Sequence, residues 1–266
     1  MALLCQRMPV NGQGRVRAVQ ITYHSGQVEL EHQHDEHQLV FPSVGLLSVD
    51  TDSSRWIVPP LRAVWVPAHT PHAISALVDS KMSTLYIDTA TSIPGLHGVT
   101  VVPVSPLLRE LILHMINSSH TEAERIRLEA VLLDQLTADP SQPLQLPRLH
   151  DSRLQDIADI FERDPTDRRT LPQLGSEIGA SERTLQRLFQ NEIGQSFGRW
   201  RTQVRLQHSV IELGRGRSVT SAASRSGYSE TSSFIEAFRY AFGTTPGRYF
   251  SQKGADQEWT TSQTAT

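Results

Sequence analysis

Residues 170–194 read TLPQLGSEIGASERTLQRLFQNEIG. Leu171, Leu174 and Ile178 recur at helical spacing and stop at Gly179, a residue suited to the left-handed end of a helix. Ser181 follows as an N-cap, and Leu185, Leu188 and Phe189 form the apolar stripe of a second helix. Helix, Gly turn, Ser cap and helix is the anatomy of a helix-turn-helix. The outward face of the second helix offers Arg183, Thr184, Gln186, Arg187 and Gln190. Arg and Gln are the side chains that make paired hydrogen bonds to guanine and adenine edges.

The pattern recurs over residues 218–250, SVTSAASRSGYSETSSFIEAFRYAFGTTPGRYF. Val219, Ala222 and Ala223 face inward, Gly227 makes the turn, and Phe234, Ala237 and Phe238 form the next stripe. The outward face there carries Glu230, Thr231, Ser232, Ser233 and Glu236. Positions 181 and 229 lie 48 residues apart, which leaves room for a long connecting helix, FGRWRTQVRLQHSVIEL. Two units held about 34 Å apart fit successive major grooves on one face of DNA.

In order and spacing, two runs resemble the DNA-binding domain of the AraC/XylS transcription regulators. The first is Leu171, Leu174, Ile178-Gly179, Ser181, Arg183, Leu185-Gln186-Arg187, Phe189, Gly194, Ser196, Trp200-Arg201 and Arg205. The second is Gly227-Tyr228, Glu230, Ser232, Phe234, Ala237-Phe238-Arg239, Phe242-Gly243, Thr245-Pro246 and Tyr249. The resemblance covers residues 151–250. It implies base contacts from Arg183, Gln186 and Arg187 in the first unit, and from Glu230, Thr231, Ser232 and Glu236 in the second. Arg201, Arg205 and Arg248 become phosphate contacts. Gly175 stands where the family usually has Ala, and Ala222 where it has a larger aliphatic, so both first helices are expected to pack less firmly. Acidic Glu236 would repel phosphate. A plain helical bundle explains a surface rich in Arg but not the repeated motif.

Charge is distributed to match. Residues 1–150 hold 10 Lys and Arg against 14 Asp and Glu, a net of −4, whereas residues 181–250 hold 10 Arg against 5 Glu, a net of +5. A basic, Arg-only segment behind an acidic half points to a polyanionic partner. The 266 residues suit two domains, and 38% hydrophobic content provides ample core. No run of about 18 apolar residues occurs, so no transmembrane helix and no membrane partner are expected. The N-terminus lacks the pattern of a signal peptide. The single cysteine, Cys5, excludes an internal disulfide and fits a reducing cytoplasm.

The first half reads differently. Residues 15–104 contain short β-rich runs, VRAVQITYH, QVELEHQH, LVFPSVGLLSVD, RWIVPP, AVWVPA and STLYID, punctuated by Gly, Pro, Ser and Asp, as in a sandwich or small barrel. Trp56 and Trp65 are expected to pack its interior. Residues 105–138 change to helical period. Leu107, Leu108, Leu111, Ile112 and Met115 form one stripe behind an N-cap at Ser105. Ile126, Ala130, Leu133 and Leu136 form another behind a capping box of Thr121 and Glu124. Such a pair is either intramolecular core or the interface of a homodimer. Proline-rich residues 139–150 read as a linker and polar residues 251–266 as a disordered tail. The fold class expected is therefore two-domain: an all-β barrel and helix pair, then an all-α domain at 151–250 with two helix-turn-helix units.

Within the barrel, residues 31–38 read EHQHDEHQ. Side chains two apart share a strand face, so Val28, Leu30, His32 and His34 project together and His37 points away. Paired imidazoles in an apolar interior suit a borderline divalent ion. Gly26, His32-x-His34, Gln38 and Gly45 resemble the first signature of the cupin barrels, with Gln where Glu is usual. Pro67-x-His69-x-x-His72 resembles the second, with His69 in place of Gly. The resemblance implies that His32, His34, Gln38 and His72 converge as three nitrogens and one oxygen around a divalent transition metal ion. Two alternatives stay open: a pocket for an organic effector without metal, and histidines satisfied within the core. Replacing Glu by Gln leaves a neutral ligand set, which weakens binding of hard cations and favours reversible sensing over catalytic retention.

Three functions follow. The first is a transcription regulator whose barrel binds a small-molecule or metal effector and whose helical domain binds operator DNA. The second is a metal-dependent cupin enzyme fused to a DNA-binding domain. The third is an architectural DNA-binding protein whose barrel only dimerises. The missing Glu and the lack of an acid–base residue beside the histidines favour the first.

Overall fold

The computed structural model describes residues 14–138 and 144–251. Cys5, residues 139–143 of the expected linker and the tail after residue 251 lie outside the described residues. The chain forms two compact units, residues 1–52 with 56–142, and residues 53–55 with 143–266.

The first unit is all-β with two helices appended. Strands β1 (Val16–Tyr23), β8 (Ser80–Ile87), β3 (His37–Val44), β6 (Arg62–Val66) and β9 (Thr100–Pro103) form one sheet in the order β1-β8-β3-β6-β9. In the second sheet β5 (Ser54–Val58), β4 (Leu47–Asp50), β7 (His72–Ala76) and β2 (Val28–His32) run in the order β5-β4-β7-β2. The first sheet is antiparallel throughout, and in the second β4 and β2 both run antiparallel to β7.

Strand β3, HQLVFPSV, shows how the layers arise. Six of its eight residues are buried because both faces are covered. Leu39 and Phe41 turn towards a cluster with Trp65, Leu85, Ile87 and the helices α1 (Pro106–Asn117) and α2 (Glu122–Asp134). Val40 turns the other way, into a cluster with Tyr23, Val49, Trp56, Val64 and Ile74 between the sheets. Gln38 shares the parity of Val40 and therefore enters the same interior. Both Trp56 and Trp65 are packing residues, although in different layers.

Ser105 caps α1 through Leu108 N, and Thr121 with Glu124 closes a capping box on α2. The buried stripe of α2 differs from the expected one. Glu129, Leu132 and Leu136 are inside, whereas Ile126 is 55% exposed and Ala130 is also exposed. The cause is Glu129, whose carboxylate accepts from the Arg15 backbone N–H at 3.1 Å and from Arg125 Nη1 at 2.6 Å. A counting scheme for apolar residues passes over a buried acid satisfied in this way.

The second unit begins with the short strand β10 (Gln145–Pro147) and continues as helices α3 (Ser152–Arg163), α4 (Leu171–Ile178), α5 (Glu182–Ile193), α6 (Phe197–Gly214), α7 (Val219–Arg225), α8 (Thr231–Phe242) and α9 (Pro246–Ser251). Phe161, Phe189, Phe197 and Trp200 centre its first half, and Phe234, Phe238, Phe242 and Tyr249 its second. Gly179 closes α4 at φ 74°, and Ser181 caps α5 through Thr184 N. The expected looseness at Gly175 is absent. A Cβ there would lie 2.3 Å from the Ala180 carbonyl oxygen, so hydrogen replaces methyl because the turn presses onto the helix. Ala222 is likewise fully buried.

Candidate functional site

In the first unit, three imidazoles meet. His32 ends β2, His72 opens β7 opposite it, and His34 lies in the turn leading to β3. Ring centroids are 4.8 Å apart for His32–His34, 4.4 Å for His32–His72 and 5.4 Å for His34–His72. One ring nitrogen from each lies within 4.8 Å of the others, the one such trio among the described residues.

The interior is reached differently from the expected alternation. Val28 is 56% and Leu30 74% exposed, so the aliphatics of β2 do not share a buried face with His32. Between the pairs Glu29↔Ile74 and His32↔His72 the register shifts: β2 spends Leu30 and Glu31 where β7 spends only Ala73. This β-bulge puts Glu29 and His32, three apart, on the same side of the strand. Glu29 Oε1 lies 3.7 Å from His32 Nε2, and Tyr23 OH donates to Glu29 Oε2 at 2.5 Å.

Hydrogen bonding fixes the rings. His32 Nδ1 faces the Leu30 carbonyl at 2.7 Å and His72 Nδ1 faces that of Thr70 at 2.9 Å. A ring nitrogen opposite a carbonyl must donate, which leaves the lone pair on Nε2 in a neutral imidazole. The Nε2 atoms of His32 and His34 are buried and have no hydrogen-bond partner. Burial, helped by the neighbouring His32, His72 and Arg17, lowers the His34 pKa to about 4 against a raising pull from Asp35. Burial also lowers that of His72, the hydrogen bond to Thr70 opposing it. Imidazole nitrogens turned inward, two of the rings pinned at Nδ1 by carbonyls, are the donor set that borderline divalent ions take. The three histidines thus fit a metal ion, on the ground of two orphaned buried nitrogens.

From the opposite sheet, buried Gln38 brings Oε1 to 2.8 Å from His72 Nε2, and its Nε2 donates to Tyr86 OH at 3.4 Å. Tyr86 also stands edge-on to His34, with the Arg17 guanidinium over its ring at 4.1 Å. His37 points away from the trio and packs on Trp65, accepting from Ala68 N–H at 3.0 Å. His69, in place of the usual Gly, holds φ 60° and donates its backbone N–H to the His34 carbonyl at 2.8 Å.

In the second unit, Arg183, Gln186, Arg187 and Gln190 are exposed along α5. Thr184 is half-buried, with Oγ1 at 2.9 Å from the capping Ser181 Oγ, and Gln186 donates to Glu182 at 2.9 Å. On α8 the cap falls on Glu230, one residue after the counterpart of Ser181, without a side-chain bond. Thr231 is half-buried, while Ser232 and Glu236 are exposed. Two exposed residues on the same helix were given no place on the DNA face from the sequence: Arg239, and Tyr240 at 94% exposure. They follow Ser232 and Glu236 by helical spacing, the signal that would have found them.

The three arginines assigned to phosphate differ. Arg205 is half-buried and donates to the Pro165 and Asp167 carbonyls at 3.4 and 2.9 Å, against the Gly227 turn. Arg201 donates to the Arg169 carbonyl at 3.1 Å and stacks on Phe197. Both brace the loop before α4. Arg248, on α9, is exposed.

A helical unit with two helix-turn-helix motifs, each presenting an exposed second helix, joined in one chain to a β unit, defines a DNA-binding transcription regulator. A family profile described as a helix-turn-helix domain matches residues 174–252, and the regulator NimR of Escherichia coli is 34% identical over 242 residues, 88% of each chain. The chain belongs to the AraC/XylS family of transcriptional regulators. The regulator RipA of Corynebacterium glutamicum is 33% identical over 110 residues, which cover 41% of this chain and 32% of that one. A solved structure of ToxT from Vibrio cholerae with an unsaturated fatty acid bound aligns at 13% identity and a TM-score of 0.37 over 91% of this chain and 96% of that one. The relatives are named as regulators, and the chain is a regulator, not an enzyme.

Proposed function

We propose that the β unit is the input of a one-component switch. A divalent transition metal ion held by His32, His34 and His72, with Gln38 beside them, changes the affinity of the helical unit for operator DNA. One observation carries the reading: two buried Nε2 atoms without partners, on His32 and His34, beside a third imidazole, His72, held at Nδ1 by a carbonyl as His32 is. An organic effector polarised by these rings is the second reading, favoured by the Tyr86 ring that walls the cluster beside His34. The DNA face consists of Arg183, Gln186, Arg187 and Gln190 on α5 with Ser232 and Glu236 on α8, and exposed Arg248 contacts phosphate. The protein acts in the cytoplasm, in keeping with the absence of any helix, among the described residues, long and apolar enough to cross a membrane.

The reading includes a homodimer through α1 and α2. Leu107, Ile126 and Val131 are 51%, 55% and 43% exposed there, flanking a groove lined by Leu111, Leu128 and His114, and a second copy would cover them. Sedimentation checks this: the wild type runs as a dimer and Ile126→Glu as a monomer.

The test of the switch combines thermal shift and DNA selection. A ligand bound only by the folded state raises the melting temperature by mass action. Zinc, cobalt or nickel should stabilise the chelated protein and alter its affinity for sequences selected from a random pool. Stabilisation by small molecules alone would leave the organic-effector reading.

A further inference from the structure

The geometry points to Glu29 as the anionic ligand of the histidine site, in the role that Gln38 cannot fill. This rests on the metal reading proposed above and names the ligand set within it. His32 Nδ1 faces the Leu30 carbonyl, so in the neutral ring Nε2 is a lone pair, and 3.7 Å away stands Glu29 Oε1, also a lone-pair atom. Two acceptors facing each other repel unless a cation, a metal ion or a proton, lies between them. The second such pair, His72 Nε2 and Gln38 Oε1 at 2.8 Å, has another resolution. Rotating the Gln38 amide presents its NH2 to His72 and its oxygen to the Tyr86 hydroxyl, at no cost in shape. A carboxylate has no donor to rotate inward, so the Glu29 pair keeps its demand for a cation.

Three further facts fit a ligand. Tyr23 OH holds Oε2, leaving one Glu29 oxygen for the site, the support that ligating carboxylates commonly have. Among the described residues, Glu29 has no Lys or Arg ion pair, although its side chain is only 26% exposed. A dication among four neutral ligands would also keep its full +2 charge in a partly desolvated site, whereas one carboxylate halves it. The acid missing from position 38 is thus supplied by position 29.

Cobalt(II), titrated into the chelated full-length protein and followed by its visible d–d absorption, tests the assignment. Wild type takes up one equivalent. Glu29→Gln weakens uptake on the order of 100-fold and shifts the band, Tyr23→Phe weakens it about 10-fold, and Gln38→Ala changes it less than about threefold. Glu29→Asp, which keeps the charge but shortens the arm, falls between wild type and Glu29→Gln, and it carries the test if circular dichroism shows the amide variant unfolded. Unchanged affinity and spectrum in Glu29→Gln, or a larger loss in Gln38→Ala, overturns the role of Glu29 and leaves the metal site standing. No uptake by wild type overturns the metal site itself, the acceptor pair then being held by a proton on His32.

Discussion

Arg187 concentrates what a single side chain contributes to recognition. It is exposed on α5, between the buried Leu185 and Phe189, and has no carboxylate competing for it among the described residues. Arg187→Ala is expected to cost about 1–3 kcal/mol of operator affinity and to relax specificity at one base pair. Binding at matched salt, across single-base variants of the selected site, measures both. His69 offers the opposite change. Its φ of 60° strains a residue with a Cβ, so His69→Gly should raise stability by roughly 1 kcal/mol in thermal or denaturant unfolding. At this scale the sequence was informative wherever a residue's role follows from its type. The three histidines of the cluster and, Thr184 apart, the exposed face of α5 were legible. Glu29 was hidden because period-two alternation sends residues 29 and 32 to opposite faces, and nothing in VELEH announces the bulge that reverses this.

Helices α6 to α8 show how an element is set by its ends. Gly227 turns the chain into α8 at φ 80°, and a Cβ there would sit 2.8 Å from the Pro165 carbonyl oxygen and 2.9 Å from Arg205 Nε. Gly227→Ala therefore meets both strain and collision, and a loss of about 2 kcal/mol or more is expected by chemical denaturation. Next to this turn, α6 carries His208 and Glu212 inward. His208 Nδ1 is 3.2 Å from Ser226 Oγ, and burial lowers its pKa, with Glu212 and Asp164 opposing and Arg215 and Arg225 reinforcing the shift. Above the ordinary imidazole pKa of 6.5 both folded and unfolded states are neutral there, so His208 adds no pH dependence. As pH falls through 6.5 the unfolded chain takes up the proton first, and stability declines. Unfolding followed from pH 7 to 5 should show this slope, and His208→Gln should flatten it. The caps of α1, α2 and α5 were legible because Ser and Thr compete locally for N–H groups. The stripe of α2 was not, because its deepest residue is an acid satisfied from β1.

For the whole molecule, the division of charge has a measurable result. The net +5 over residues 181–250 makes DNA affinity fall steeply with salt, and neutralising one phosphate contact by Arg248→Ala should lower the log–log slope by about 1. The sequence revealed the two-part architecture because period two and period 3.6 occupy separate halves of the chain. It could not reveal which parts of the helical surface are already committed, since Arg201 and Arg205 look as free in sequence as Arg183. The bulge in β2 carries one more consequence. Between its two anchored pairs that strand holds a spare residue, pushed outward at Leu30, and the pairing across to β7 needs only one. Deleting a single residue at Leu30–Glu31 should straighten the ladder yet keep Glu29 and His32 together, by plain alternation. At this edge a change of length is expected to be tolerated, whereas a change of register at either anchor would disperse the cluster.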